Sequence, residues 1–254
     1  MLRALLEAGV RPDLVVGTSV GALNGAFLAA APEVATTLRL ADLWTGLADR
    51  GGVFSGSVAE RLGRAVRSRT HLHSPEPLRR LLAEHLPVAR IEELPVPFQC
   101  VAACIERAAE HWFTTGPLAE AVLASCAVPG LLAPVRVGDE HFLDGGLVNS
   151  IPVSRAVAAG ARTVHVLQVG RVEQPLTPPR QPWEVALVAF EIARRHRFAS
   201  DLAALPEGVT VHVLPTGADV PQGLAQLRYR DASQVRQRVA LAHAATAEYL
   251  ASLP

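Results

Sequence analysis

Ser19 stands in the run Gly17-Thr18-Ser19-Val20-Gly21, directly after the apolar Leu14-Val15-Val16 and directly before the apolar stretch from Ala22 to Ala31. A strand that turns sharply into a helix can hold one side chain in a strained, exposed position, and small residues on either side let the backbone make that turn. The spacing therefore predicts a nucleophile elbow at Ser19. A Cβ at Gly17 or Gly21 is expected to collide with the neighbouring strand or helix, and the amides that open the helix favour negative charge beside the serine. The chemistry this suits is one that develops an oxyanion. The Gly-x-Gly-x-x-Gly spacing that lets a backbone approach a pyrophosphate is absent, so nucleotide binding is a poor reading of the turn.

A second cluster is Asp144-Gly145-Gly146. Two glycines after an aspartate allow close backbone approach, and the aspartate by itself reads as a turn cap. Beside a serine elbow it gains a second reading, in which the Asp144 carboxylate accepts the Ser19 hydroxyl proton as Oγ attacks an ester carbonyl. An ordinary aspartate, with a pKa of about 3.9, is a poor base at neutral pH. The pairing therefore demands a partly buried Asp144. A Ser-Asp-His triad is the runner-up, since the chain order of Ser19, Asp144 and His165 or His212 permits it. Both histidines fall inside predicted strands, and His141 is expected to face solvent. His71-x-His73 has no third ligand nearby, so it is a weak metal site.

The elements that must hold these residues alternate between helix and strand. Met1 to Ala8 is helical in pattern and stopped by Gly9, and Leu14-Val16 is a short strand. Further helices are expected at Val34 to Ala48, Val58 to Val66, Pro77 to Leu86 and Pro117 to Cys126. Strands are expected at Pro97 to Cys104 and His111 to Thr114, followed by a hairpin of Val135-Arg136-Val137, Gly138-Asp139 and Glu140 to Leu143 that delivers Asp144. Pro152 to Ala159 reads as a helix, Thr163 to Val169 as a strand, Trp183 to Leu205 as a long helix, Val209 to Leu214 as a strand and Ser233 to Leu253 as a closing helix.

With 254 residues, half of them hydrophobic, the chain can bury one α/β core, and a single domain over 1–254 is expected. Lys plus Arg equals Asp plus Glu at 24 each, so no net charge attracts nucleic acid. Cys100, Cys104 and Cys126 are few and lack paired metal spacing, which predicts buried thiols in a reduced, cytoplasmic setting. No run reaches the ~18 apolar residues of a membrane span. On the long helix, Trp183, Leu187, Phe190 and Ile192 read as core, and Arg194, Arg195, His196 and Arg197 as a solvated basic end; peripheral contact with anionic headgroups is the sharper reading of that cluster.

The opening from Leu2 to Asp13, the turn from Val15 to Asn24, Ala127-Val128-Pro129-Gly130, and the run from Asp144 to Pro152 together resemble the patatin-like phospholipase family, over Met1 to about Val169 with a weaker continuation. The resemblance implies a three-layer α/β/α patatin-like fold with a largely parallel central sheet. It also implies a Ser-Asp dyad at Ser19 and Asp144, acyl-ester hydrolysis of lipids, and no cofactor. Gly17, Val20 and Gly21 fall at the elbow and oxyanion positions, with Gly145 and Gly146 as motif support. Family members open with a strand and a glycine-rich oxyanion loop before the helix matching Met1 to Ala8, and this chain has no glycine before Gly9. That departure predicts a late start or a fragment of an active enzyme, with the Val20 amide as the remaining obvious oxyanion donor and impaired activity in the chain as written. A member of the fold that binds acyl chains or a protein without turnover is the non-enzymatic alternative.

Overall fold

The computed structural model describes residues 1–49, 71–168, 175–217 and 232–253. The helix expected at Val58 to Val66 lies outside them. The chain gathers into two compact units, one of Pro12–Thr36 and Arg50–Ser150, the other of Met1–Arg11, Thr37–Asp49 and Ile151–Pro254.

The first unit is built on a buried strand. Strand β1 (Val15–Thr18) leads through Ser19 into helix α2 (Val20–Ala30); α3 (Val34–Asp49) follows in the chain, most of it in the second unit. Then come β2 (His71–His73), α4 (Glu76–His85), β3 (Phe98–Cys104), β4 (Ala109–Phe113), α5 (Leu118–Ser125), β5 (Gly130–Leu132), β6 (Val135–Val137) and β7 (Glu140–Asp144). Six of the seven residues of β3 are buried, the mark of a strand covered on both faces. Helices α2 and α5 pack on this sheet. The α2 face that does so is Ala22, Leu23, Gly25, Ala26, Leu28 and Ala29, mostly small residues. A Cβ at Gly25 would stand 2.9 Å from the Val15 Cγ1 and 3.2 Å from the Phe98 ring, so the helix lies as close to the strands as a glycine allows.

The register of β3 is what positions the site. Strand β4 pairs with Cys100–Cys104 along one edge, antiparallel. The other edge is shared end to end: β1 runs parallel beside Phe98–Val101, and β7 runs antiparallel beside Ala102–Cys104. Thr18 is therefore opposite Val101 and Asp144 opposite Ala102, consecutive residues of one strand. The last residue of each flanking strand thus meets the other, about one strand residue apart, or ~3.3 Å. The expected hairpin forms as β6 and β7, with Val135 opposite Phe142. Phe142 is 1% exposed and packs edge-on against Phe113 with ring centroids 5.2 Å apart, which anchors the hairpin to β4.

The α/β class and the patatin-like fold hold, with helices on a mixed sheet. Parallel pairing joins β1 to β3 and β2 to β5, whereas tight turns make β3–β4 and β6–β7 antiparallel. Strand β5 falls between Pro129 and Pro134, where no strand was expected. Its residues are too few to show periodicity, and its partner β2 is distant in sequence.

The second unit includes α1 (Leu2–Glu7), α6 (Val153–Ala158), β8 (Thr163–Val166), α7 (Pro182–Ala203), β9 (Thr210–Val213) and α8 (Ala232–Ala251). Its two strands carry the same four residues, Thr-Val-His-Val, and pair parallel in register, so His165 stacks on His212 with ring centroids 5.1 Å apart. Ile151, Val153, Val166 and Phe198 form its core. The Ser154 hydroxyl donates to Asp201 at 2.7 Å and ties α6 to α7. The arginines of the basic cluster of α7 pair within their own helix: Arg194 and Arg195 share Glu191, and Arg197 pairs with Asp201. Ile192 is exposed rather than core, and the side chains of Trp183 and Leu187 lie outside the described residues. Among the described residues, no helix is long and apolar enough to cross a membrane.

Candidate active site

Ser19 sits between the end of β1 and the start of α2 with φ of 55° and ψ of −124°. A non-glycine residue in the left-handed half of backbone space costs on the order of 1–3 kcal/mol and persists only where its surroundings fix it. Here they do so through four hydrogen bonds. The Thr18 hydroxyl donates to the Asn149 carbonyl at 2.8 Å. The Ser19 amide donates to the Ser125 hydroxyl at 2.9 Å. The amides of Ala22 and Leu23 donate to the Ser19 carbonyl at 2.8 and 3.1 Å, which starts the helix.

The two oxygens of Asp144 divide their work. Oδ1 accepts from the Gly146 amide at 2.7 Å and caps a short 3-10 turn over Gly145–Leu147. Oδ2 accepts from the Ser19 hydroxyl at 2.5 Å. One carboxylate thus both caps the turn and accepts from the serine hydroxyl. Asp144 is 5% exposed, and its burial pushes its pKa up to about 6 against the lowering effect of the Ser19 and Gly146 hydrogen bonds. Ser19 itself is half-buried, whereas Asp144 is buried.

The glycines separate into two kinds. A Cβ at Gly17 would lie 2.6 Å from the Ala22 Cα and the Gly21 carbonyl oxygen, so the turn closes on that position. Gly145 is tighter: a Cβ would press into the Val101 carbonyl and stand 2.8 Å from its carbon. Gly21, expected to be equally crowded, has nothing within 4 Å of a Cβ. It lies on the exposed side of the first helical turn. The Val20 amide opens α2 beside the serine, at a helix start whose N–H groups have no intrahelical acceptor.

No histidine stands between Ser19 and Asp144, because the two side chains touch directly. His165 stacks on His212, whose Nδ1 lies 3.0 Å from the Tyr249 hydroxyl, and the His141 ring bonds Glu106 at 2.7 Å. The triad arrangement is not formed. Cys100, Cys104 and Cys126 are free and buried, and burial raises the Cys100 and Cys126 thiol pKa values. Among the described residues, no group of three His, Cys, Asp or Glu side chains could hold a metal.

Sequence reasoning passed over Ser125 and Thr18. The one signal for Ser125 is a hydroxyl closing the otherwise apolar run Ala121-Val122-Leu123-Ala124, where a buried polar group needs a partner. Asn149 accepts from Thr18 through its carbonyl and donates its amide to the Gly145 carbonyl at 2.8 Å, while its side-chain nitrogen reaches Glu110 at 3.4 Å.

Fold and site together define an α/β protein with a serine–carboxylate pair at a strand–helix turn. Comparison with known proteins gives the class its family. The family model for patatin-like phospholipases matches residues 1–157, and the chain belongs to that family. A Lysophospholipase NTE1 of Mycosarcoma maydis is 28% identical over 214 residues, covering 81% of this chain and 10% of that protein. The human Patatin-like phospholipase domain-containing protein 6 is 31% identical over 176 residues, covering 68% of this chain and 12% of that protein. An uncharacterized NTE family protein of Mycobacterium tuberculosis is 39% identical over 75 residues, covering 30% of this chain and 21% of that protein. The chain thus spans about a tenth of the length of the first two.

Proposed function

We propose that this chain is a serine acyl-ester hydrolase acting on lipids, with Ser19 as nucleophile and Asp144 as general base. The observation that carries the reading is the direct hydrogen bond from Ser19 Oγ to a buried Asp144, made by a serine held at positive φ where a strand enters a helix. Membership of the patatin-like phospholipases and similarity to a fungal lysophospholipase point to a phospholipid or lysophospholipid ester.

In the reaction, Ser19 Oγ bonds to the acyl carbon as its proton passes to Asp144 Oδ2. The carbonyl oxygen becomes an oxyanion beside the start of α2, with the Val20 amide as donor. The carbon–oxygen bond to the alcohol then breaks, and the leaving oxygen takes the proton from Asp144. Water next attacks the acyl-serine ester and gives a proton to Asp144; release of the fatty acid returns that proton to Ser19. A base buried until its pKa reaches about 6 is both ionised at neutral pH and basic enough to share the proton in the transition state.

Lysophosphatidylcholine micelles and phosphatidylcholine vesicles are the test substrates. The chain is expected to release fatty acid from at least one of them and Ser19→Ala from neither; equal release by the two proteins would remove the proposal. The rate should also rise with pH as Asp144 loses its proton near pH 6 and level off above it. A rate that stays flat from pH 5 to 8 would take the base role away from Asp144.

A further inference from the structure

The nucleophile's backbone is held by a group that belongs to neither the turn nor the carboxylate loop. Ser19 lies beyond the last pair of the β1–β3 ladder, Thr18 with Val101, and before the first residue of α2. Neither ladder nor helix supplies an acceptor for its amide. Ser125, the last residue of α5 and 0% exposed, supplies one through its hydroxyl at 2.9 Å. Two residues on, the Ala127 carbonyl accepts from the Asp144 amide, also at 2.9 Å. One three-residue segment thus grips the main chains of both members of a pair that lies 125 residues apart in sequence.

We propose that Ser125 is a positioning residue of the reaction: its hydroxyl holds the Ser19 backbone at positive φ, and so sets where the Ser19 oxygen stands relative to Asp144. The proposal rests on the reading of Ser19 and Asp144 as nucleophile and base. Two physical consequences follow. Without the Ser125 oxygen a half-buried amide loses its acceptor, and the strained residue loses a tether that opposes relaxation to negative φ. With it, the Ser19 amide is committed to Ser125 and withdrawn from the oxyanion donors, which leaves that task to the amide that follows.

The test is the saturation kinetics of an alkyl fluorophosphonate on wild type, Ser125→Ala and Ser125→Thr, with hydrogen exchange of the Ser19 amide measured alongside. The alanine variant is expected to lose about 10²-fold in the maximal acylation rate, the scale of a misplaced reacting group, with little change in the half-saturating concentration. Threonine, which keeps the oxygen, is expected to recover most of the rate. The Ser19 amide should exchange faster in the alanine variant alone. A Ser125→Ala chain that reacts at the wild-type rate, even with a lowered melting temperature, overturns the proposal and leaves Ser19 and Asp144 in place. So does unchanged exchange at Ser19. A wild-type chain that takes no adduct removes the nucleophile reading itself, and the positioning role with it.

Discussion

Asp144→Asn is expected to lower the rate of acyl transfer to Ser19 by about 10²- to 10⁴-fold, the range that a general base contributes, while making the folded chain more stable at pH 8. The substitution keeps the oxygen that caps the Gly146 amide and replaces the one facing Ser19 by a neutral NH₂, which cannot take a proton. The stability half follows from linkage. Burial raises the folded-state pKa of Asp144 to about 6, above an unfolded value near the ordinary 3.8, so the folded chain binds this proton more tightly than the unfolded one. The stabilisation is fully present below about pH 4 and is lost as pH rises through 6, an effect of about 3 kcal/mol from a two-unit shift. Asparagine has no proton to lose. Thermal unfolding at pH 4 and pH 8 should show the variant gaining on wild type at the higher pH, and a variant less stable than wild type at pH 8 would contradict a carboxylate kept charged at a cost. Lost activity with gained stability is the signature of a group held for function rather than for folding.

Gly145→Ala is expected to cost about 3 kcal/mol or more, because its Cβ would enter the Val101 carbonyl on the central strand β3. That neighbour is backbone in a paired strand and has no rotamer to change. The same loop presents Asp144, so whatever folded protein is recovered should also react slowly. Gly21→Ala is the control. It adds the same methyl where nothing lies within 4 Å, in a helix, and is expected to be neutral or to stabilise by up to about 1 kcal/mol. Melting temperatures of the two variants decide the matter: similar losses in both would mean that Gly145 is not closely packed against Val101.

Much of this architecture is legible in the residues, for reasons that differ along the chain. The turn at Ser19 declares itself because an apolar strand run, small flanking residues and an apolar helix are all local signals. The hairpin to Asp144 is equally local, since Gly138-Asp139 between short strand runs fixes a two-residue turn, and its strands fall within a residue of expectation. The division of glycines is not local. Gly17 and Gly21 flank the same turn symmetrically in sequence, yet one faces the helix backbone and the other faces open space, a difference set by the direction in which α2 leaves. Nor does sequence carry the sharing of one β3 edge by β1 and β7, which puts Thr18 and Asp144 at consecutive positions. Register depends on long-range pairing, and a shift of one residue would turn Asp144 to the opposite face. Ser125 was overlooked for a related reason. Its partner is a backbone amide 106 residues away, and no side-chain pattern announces an orphan amide.

Ser19 is proposed as a nucleophile activated by direct contact with Asp144. Treatment of the folded chain with an alkyl fluorophosphonate, followed by intact mass and peptide mapping, tests it most directly. One adduct per chain is expected, located on Ser19, absent in Ser19→Ala and strongly slowed in Asp144→Asn. An unmodified wild-type chain, an adduct on another residue, or Asp144→Asn labelled as fast as wild type would contradict it.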